Sequence, residues 1–206
     1  MDKPRVLVVA TRNSGKLAEI KDILKLDGWR ISGLDDFPAT GEIPEVGKTF
    51  EENAIDKARA VAGITQLTAI GDDSGIEVDA LGGGPGVYSA RFAGEGASDA
   101  DNNKKMLEVM KGVPVSNRAA KFVCVIAVVT SDGVEKVVRG ECKGVILEEP
   151  RGKRGFGYDP LFYYPPMAKT YSEMTPEEKN SISHRFRALV KLKEILPGLL
   201  DAGVVR

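Results

Sequence analysis

Lys121-Phe122-Val123-Cys124-Val125-Ile126-Ala127-Val128-Val129-Thr130-Ser131-Asp132-Gly133 is the stretch on which the fold turns. Phe122, Cys124, Ile126 and Val128 alternate with Val123, Val125 and Ala127, so both faces of an extended chain are apolar. The pattern predicts a strand over 121–130, buried on both sides. Ser131-Asp132-Gly133 then reads as a hairpin turn, with a return strand over 134–141. A hairpin in a chain that otherwise mixes strands and helices argues against a purely parallel sheet. The expected class is α/β, with a mixed sheet flanked by helices.

On the N-terminal side, Val6-Leu7-Val8-Val9-Ala10 is a continuous apolar run and reads as a central strand. The polar turn Thr11-Arg12-Asn13-Ser14-Gly15 leads into a helix with Leu17, Ile20, Ile23 and Leu24 on one face and Asn13 or Ser14 as its cap. Thr49-Phe50-Glu51-Glu52 is a capping box opening a helix with Ala54, Ile55, Ala58 and Ala62 on one face. Leu67-Thr68-Ala69-Ile70 reads as a short strand ending at Gly71-Asp72-Asp73, and Ile76 and Val78 as a second strand piece or extended turn. Gly82-Gly83-Gly84-Pro85-Gly86 is a loop by composition. On the C-terminal side a helix is expected over 102–110 and a glycine-rich basic loop over 152–157. Thr175-Pro176-Glu177-Glu178 opens a helix whose stripe is Ile182, Phe186, Leu189, Leu192 and Leu196, stopped by Pro197-Gly198.

The length, 206 residues, suits one domain over 1–206 or two closely joined lobes, with a sizeable core. A net charge of −1 lacks the basic excess of a nucleic-acid binder. No stretch approaches the roughly 20 apolar residues of a membrane span, and the N-terminus does not read as a signal peptide. Two cysteines without metal-ligand spacing suggest a reducing compartment, so a cytoplasmic location is expected.

Several elements can carry chemistry. Thr11-Arg12-Asn13-Ser14-Gly15-Lys16 leads a strand into a helix N-terminus, where backbone N–H groups and a lysine favour an anion. It lacks the Walker A spacing and, taken alone, reads more readily as a strand-to-helix turn with a solvated lysine. Gly71-Asp72-Asp73-Ser74-Gly75 sets two carboxylates side by side, which suits a hard cation and a water-activating base, or an acidic surface turn. Glu45 gains meaning only if folding brings it to Asp73. Gly155-Phe156-Gly157-Tyr158-Asp159-Pro160 presents an aromatic between glycines, able to stack on a base or to pack inward. Lys179, Ser183, His184 and Arg185 share the C-terminal helical segment. On one continuous helix His184 lies about 200° from Ile182, off the apolar stripe. Cys124 reads as a small buried hydrophobe, and Cys142 gets no role.

Taken in order, these pieces resemble the inosine triphosphate pyrophosphatases, which clear noncanonical purine NTPs. The resemblance also covers Thr49-Phe50-Glu51-Glu52-Asn53-Ala54 with Lys57-Ala58, Pro85-Gly86-Val87-Tyr88-Ser89-Ala90-Arg91 and Ser181-Ile182-Ser183-His184-Arg185, and spans positions 6 to about 190. It implies an elongated mixed sheet in two lobes with the nucleotide cleft between them, a homodimer, and Mg2+ with at least one ion per subunit. It implies that Thr11, Arg12, Asn13, Ser14, Gly15 and Lys16 hold the triphosphate. Asp73 is then the general base, Glu45 and Asp73 serve the metal, and Ser74 touches substrate. Phe156, with Gly157, Tyr158 and Asp159, forms the base wall, while Lys179, His184 and Arg185 close over base and phosphate. Purine NTPs are the expected partners, with no nucleic acid and no membrane. A pyrophosphatase of different base choice and a nucleotide-binding module without turnover stay as rivals. Paired carboxylates beside Lys16 argue against the module.

Overall fold

The computed structural model describes residues 5–41 and 43–202. In chain order the elements are β1 (Arg5–Val9), α1 (Ser14–Leu24), β2 (Trp29–Ser32), α2 (Phe50–Thr65), β3 (Thr68–Val78), α3 (Asp99–Val109), β4 (Ala119–Val129), β5 (Glu135–Ile146), β6 (Phe162–Tyr164), β7 (Lys169–Thr170), α4 (Pro176–Ile182) and α5 (His184–Ala202). Seven strands form one sheet in the order β2-β1-β3-β4-β5-β6-β7. β1 pairs in parallel with β2 and β3, whereas β5–β6 and β6–β7 are antiparallel. The sheet is therefore mixed, as the hairpin between β4 and β5 predicts. In that turn Gly133, at φ +87°, donates to the Thr130 carbonyl at 3.0 Å.

The chain divides into two compact units. The first comprises the residues through 73, 124–140 and 185 onward; the second comprises 74–123 and 141–184. Each has its own core. The first packs Leu7, Ile20, Ile70, Ile126, Leu189 and Leu192, and the second packs Ile76, Met106, Phe122, Tyr158, Phe162 and Tyr171. From Phe122 to Val129 every residue of β4 is buried, which is why the sequence shows apolar residues on both faces.

Several elements differ from the expectation: β5 runs to Ile146 rather than 141, and β2, β6 and β7 have no counterpart among the expected strands. β3 does not stop at Gly71 but runs unbroken for 11 residues through both aspartates. The reason lies in α2: a Cβ at Gly71 would sit 2.1 Å from the Ala54 carbonyl oxygen and 2.9 Å from the Ala58 nitrogen. Gly71 lets the strand pass against the helix backbone, rather than turn. The C-terminal helix is two helices, α4 and α5, separated by Ser183 in an extended conformation (φ −66°, ψ 162°), so the 200° placement of His184 does not hold. α5 also continues past Pro197, because Leu196 and Leu200 on either side of it both pack into the first core. α3 begins three residues before the expected start, at a Ser98–Asp101 capping box. Among the described residues, no helix is long and apolar enough to cross a membrane.

Because the clash at Gly71 is with helix backbone, Gly71→Ala is expected to destabilise the chain by about 3 kcal/mol or more. Thermal unfolding of the variant checks this, and a shift within the noise of wild type refutes it.

Candidate active site

The two adjacent aspartates of β3 point to opposite faces of the strand and meet different surroundings. Asp72 is buried, with its Oδ1 2.6 Å from the Lys16 Nζ. Arg185 at the start of α5 donates to it through Nε at 3.1 Å and Nη2 at 3.4 Å, and through Nη1 to Glu19 of α1. The Cys124 thiol of β4 donates to Asp72 Oδ2 at 3.0 Å. Burial opposes the charge on Asp72, but Arg185 and Lys16 outweigh it and hold the carboxyl well below its ordinary range. Burial, with Asp72 beside it, pushes the Cys124 thiol up.

Asp73 faces the other way, toward α2. Asn53 Nδ2 donates to its Oδ2 at 3.0 Å, and the Lys57 ammonium lies 3.2 Å from its Oδ1. Lys57 also reaches Glu45 Oε1 at 2.9 Å and the Asp72 carbonyl at 2.7 Å. Asn53 and Lys57 stand one helical turn apart on α2, below the Thr49–Glu52 capping box. The Asn53 Oδ1 accepts from Gly47 N at 2.8 Å, which ties the Glu45 loop to the same helix face. Burial raises the Asp73 pKa, with Glu45 adding to it, and Lys57 and Lys16 only partly offset this. Burial works against the Lys57 charge, yet Asp73 and Glu45 raise its pKa all the same. One aspartate is thus locked as an anion while its neighbour is made more basic, a division of labour typical of acid–base sites.

The β1–α1 loop is only partly drawn into this cluster. Asn13 is the N-cap of α1 and accepts from Lys16 N at 3.0 Å; Thr11 Oγ1 accepts from Asn13 N at 3.1 Å. Ser14 and Gly15 form the first turn. Arg12 turns instead to the Gly41 carbonyl at 2.9 Å and to Asp35 at 3.3 Å.

In the second unit, Phe156, Asp159 and Lys179 come together. Lys179 Nζ lies 2.6 Å from Asp159 Oδ2 and 4.6 Å from the centre of the Phe156 ring. Asp159 Oδ2 also accepts from Phe156 N at 3.1 Å, and both Asp159 and Lys179 are buried. Tyr158 packs in the core with its hydroxyl donating to the Ser89 carbonyl at 2.8 Å. His184 is buried and stacks on Phe122, ring centres 4.7 Å apart. Ser74 follows Asp73 in β3, half-buried.

Residues 7–195 match the Ham1 family. The chain belongs to the Ham1 family. A Geobacter sulfurreducens protein named dITP/XTP pyrophosphatase is 53% identical over 190 residues, covering 92% of this chain and 96% of its own. A protein of the same name from Desulforamulus reducens is 52% identical over 190 residues, covering 92% and 94%. The solved structure of a HAM1 protein from Coxiella burnetii superposes with a TM-score of 0.85 at 43% identity, covering 94% of this chain and 99% of that one.

In this Ham1 chain Glu45 and Asp73 are the residues suited to a metal. Both offer hard oxygen donors, and both meet one Lys57 ammonium, so the trio keeps a net negative charge. That donor set fits a divalent cation whose remaining ligands are phosphate oxygens and water. Among the described residues no group of three or more His, Cys, Asp or Glu gathers as a ready-made cage.

Lys57, Asn53, Glu19 and Cys124 belong to these clusters although sequence reasoning gave them no role. Asn53 and Lys57 follow the Thr49–Glu52 capping box on α2, but nothing in a linear pattern shows that they face Asp73.

Since the folded pKa of Asp72 is depressed, its stabilisation is present above the unfolded value of about 3.9 and fades as pH falls below it. Asp72→Asn leaves Lys16 and Arg185 facing a neutral group, so a loss of about 3–5 kcal/mol is expected at neutral pH. The loss should begin to shrink as pH falls below about 4, where the unfolded chain takes up a proton that the folded Asp72 carboxyl still refuses. Thermal unfolding across this range checks it; a pH-independent difference contradicts the charge argument.

Proposed function

We propose that the chain hydrolyses purine nucleoside triphosphates carrying the wrong base, ITP, dITP and XTP, to the monophosphate and pyrophosphate. The observation that carries this is the divided aspartate pair: Asp72 fixed as an anion beside Lys16, Asp73 made more basic beside Glu45 and Lys57. The name of relatives about half identical over nine-tenths of the chain supports the substrate class.

In this reading the residues from Thr11 to Lys16 hold the triphosphate, with backbone N–H groups at the α1 N-terminus and the Lys16 charge. Asp73 takes a proton from the attacking water. The new bond forms between water oxygen and the α-phosphorus, the bond to the bridging oxygen breaks, and pyrophosphate departs. Lys16 and Lys57 neutralise charge in the transition state, the main demand of phosphoryl chemistry. Glu45 and Asp73 would hold Mg2+, at least one ion per subunit, which supplies further neutralisation of phosphate charge. Asn53 keeps Asp73 oriented through its 3.0 Å bond.

Ser74 is assigned to substrate, and Phe156 stacks on the base, with Gly157, Tyr158 and Asp159 supporting it. Lys179, His184 and Arg185 complete the assignment to base and phosphate. A guanidinium donor suits the C6 carbonyl of hypoxanthine and xanthine and meets the C6 amino group of adenine donor to donor. Arg185 is buried against Asp72 and Glu19 and would read the base only by releasing part of that pairing. Guanine shares that carbonyl, so its rejection needs a different contact. The resemblance supports a cytoplasmic homodimer acting on free nucleotides, without nucleic acid or membrane.

Incubation with ITP, dITP, XTP, GTP and dUTP in Mg2+ tests the reading. Pyrophosphate release, fastest with the first three, is expected; release of phosphate, or no reaction, overturns it. Asp73→Asn should lower kcat by about 10²–10⁴-fold with a much smaller change in KM. Near wild-type turnover would remove Asp73 from the role of base.

A further inference from the structure

Phe156 stands between Gly155 at φ +80° and Gly157 at φ +59°. Both glycines occupy the left-handed region that side chains disfavour, and neither restrains the aromatic by packing of its own. Such a segment keeps a fixed direction only if bonds from outside hold its backbone. On the N-terminal side Asp159 does this: its Oδ2 accepts from Phe156 N at 3.1 Å, and a Cβ at Gly155 would lie 2.0 Å from that oxygen. On the C-terminal side the restraint comes from a distant element, the first turns of α3. Asp99 Oδ2 accepts from Gly157 N at 2.7 Å, and Asn103 Nδ2 donates to the Gly157 carbonyl at 2.8 Å. Both polar groups of Gly157 are therefore held by side chains one helical turn apart.

These two side chains are themselves fixed. Ser98 and Asp101 close a capping box at the start of α3. Asn103 Nδ2 also donates to the Asp99 carbonyl at 2.8 Å, which links the pair. The neighbouring Asn102 accepts from Ala93 N at 2.8 Å and donates to the Ala90 carbonyl at 3.0 Å, anchoring the same turn on its other flank. Asn103 does this at a cost: its Oδ1 is buried with no hydrogen-bond partner among the described residues. What this amide contributes is donation, and its targets are Asp99 and Gly157.

We propose that Asp99 and Asn103 are positioning residues for base recognition. They clamp the Gly157 peptide so that Phe156 is presented to the purine in one fixed orientation. The inference rests on the reading of Phe156 as the stacking residue. A pre-ordered platform lowers the ordering cost of binding, so the clamp acts on affinity for the base and not on the chemistry at the phosphates.

The test compares Asp99→Ala, Asn103→Ala, the two combined, Asp99→Asn and Phe156→Ala. The readouts are KM and kcat with XTP, and inhibition by tripolyphosphate, which has phosphates but no base. The combined variant is expected to raise KM for XTP by about 10-fold while kcat stays within about threefold. Its inhibition constant for tripolyphosphate should stay within about twofold of wild type. Asp99→Asn keeps a neutral acceptor for Gly157 N and should retain the wild-type KM. If Phe156→Ala raises KM but the combined variant does not, the clamp is refuted while the stacking reading stands. If Phe156→Ala leaves KM unchanged, the stacking reading fails and the clamp with it. Parallel weakening of XTP and tripolyphosphate would mean general damage and would also overturn the proposal, as would an Asp99→Asn variant no better than Asp99→Ala.

Discussion

A carboxylate without solvent is tolerable only when cations and donors surround it, and the Asp72 carboxylate of β3 imposes that condition on the first unit. It is met by Lys16 from the β1–α1 junction, by Arg185 from the start of α5 and by the thiol of Cys124 on β4. Arg185 in turn takes Glu19 of α1 as a second partner. Elements far apart in sequence, from position 16 to position 185, are held in register by one buried group. Lys16, in the first turn of α1, is thereby fixed in direction instead of trailing in solvent.

The same strand supplies the opposite environment one residue later. Strand alternation turns Asp73 away from its neighbour, so two adjacent aspartates have different partners. Asp73 shares the single Lys57 ammonium with Glu45 and keeps an excess of negative charge around it. Burial then makes it more basic, whereas Asp72 is held as an anion. The arrangement depends on close approach of α2 to β3, and that approach depends on Gly71 having no side chain. A change in packing at a glycine would therefore be felt first at the charges.

The second unit follows a parallel logic with an aromatic at its centre. Asp159 and Lys179 form a buried pair against Phe156, and the glycines on either side make the loop free to bend. Freedom of that kind helps a loop reach its shape but does not hold it there. The bonds from Asp99 and Asn103 and the Tyr158 hydroxyl on Ser89 hold it.

Much of this was legible before folding. Two-faced apolarity in 121–130, the Ser131-Asp132-Gly133 turn and the capping boxes at Thr49 and Thr175 are local signals, and the mixed sheet and helix starts follow from them. The motif order pointed to the family and to most residues now found in the two clusters. Local signals misled where tertiary packing overruled them: the strand reads as ending at Gly71-Asp72-Asp73 but runs on through both aspartates against α2, and Pro197 reads as a stop but lies in a helix held by Leu196 and Leu200. Cys124 reads as a plain hydrophobe, since a sequence does not show that Asp72 lies 3.0 Å away. Sequence by itself determined which segments extend, which coil and which residues can carry charge, because those depend on neighbours along the chain. Only the tertiary structure decided how two adjacent aspartates differ, because their partners come from Lys16, Lys57, Cys124 and Arg185, and distance in space sets a pKa.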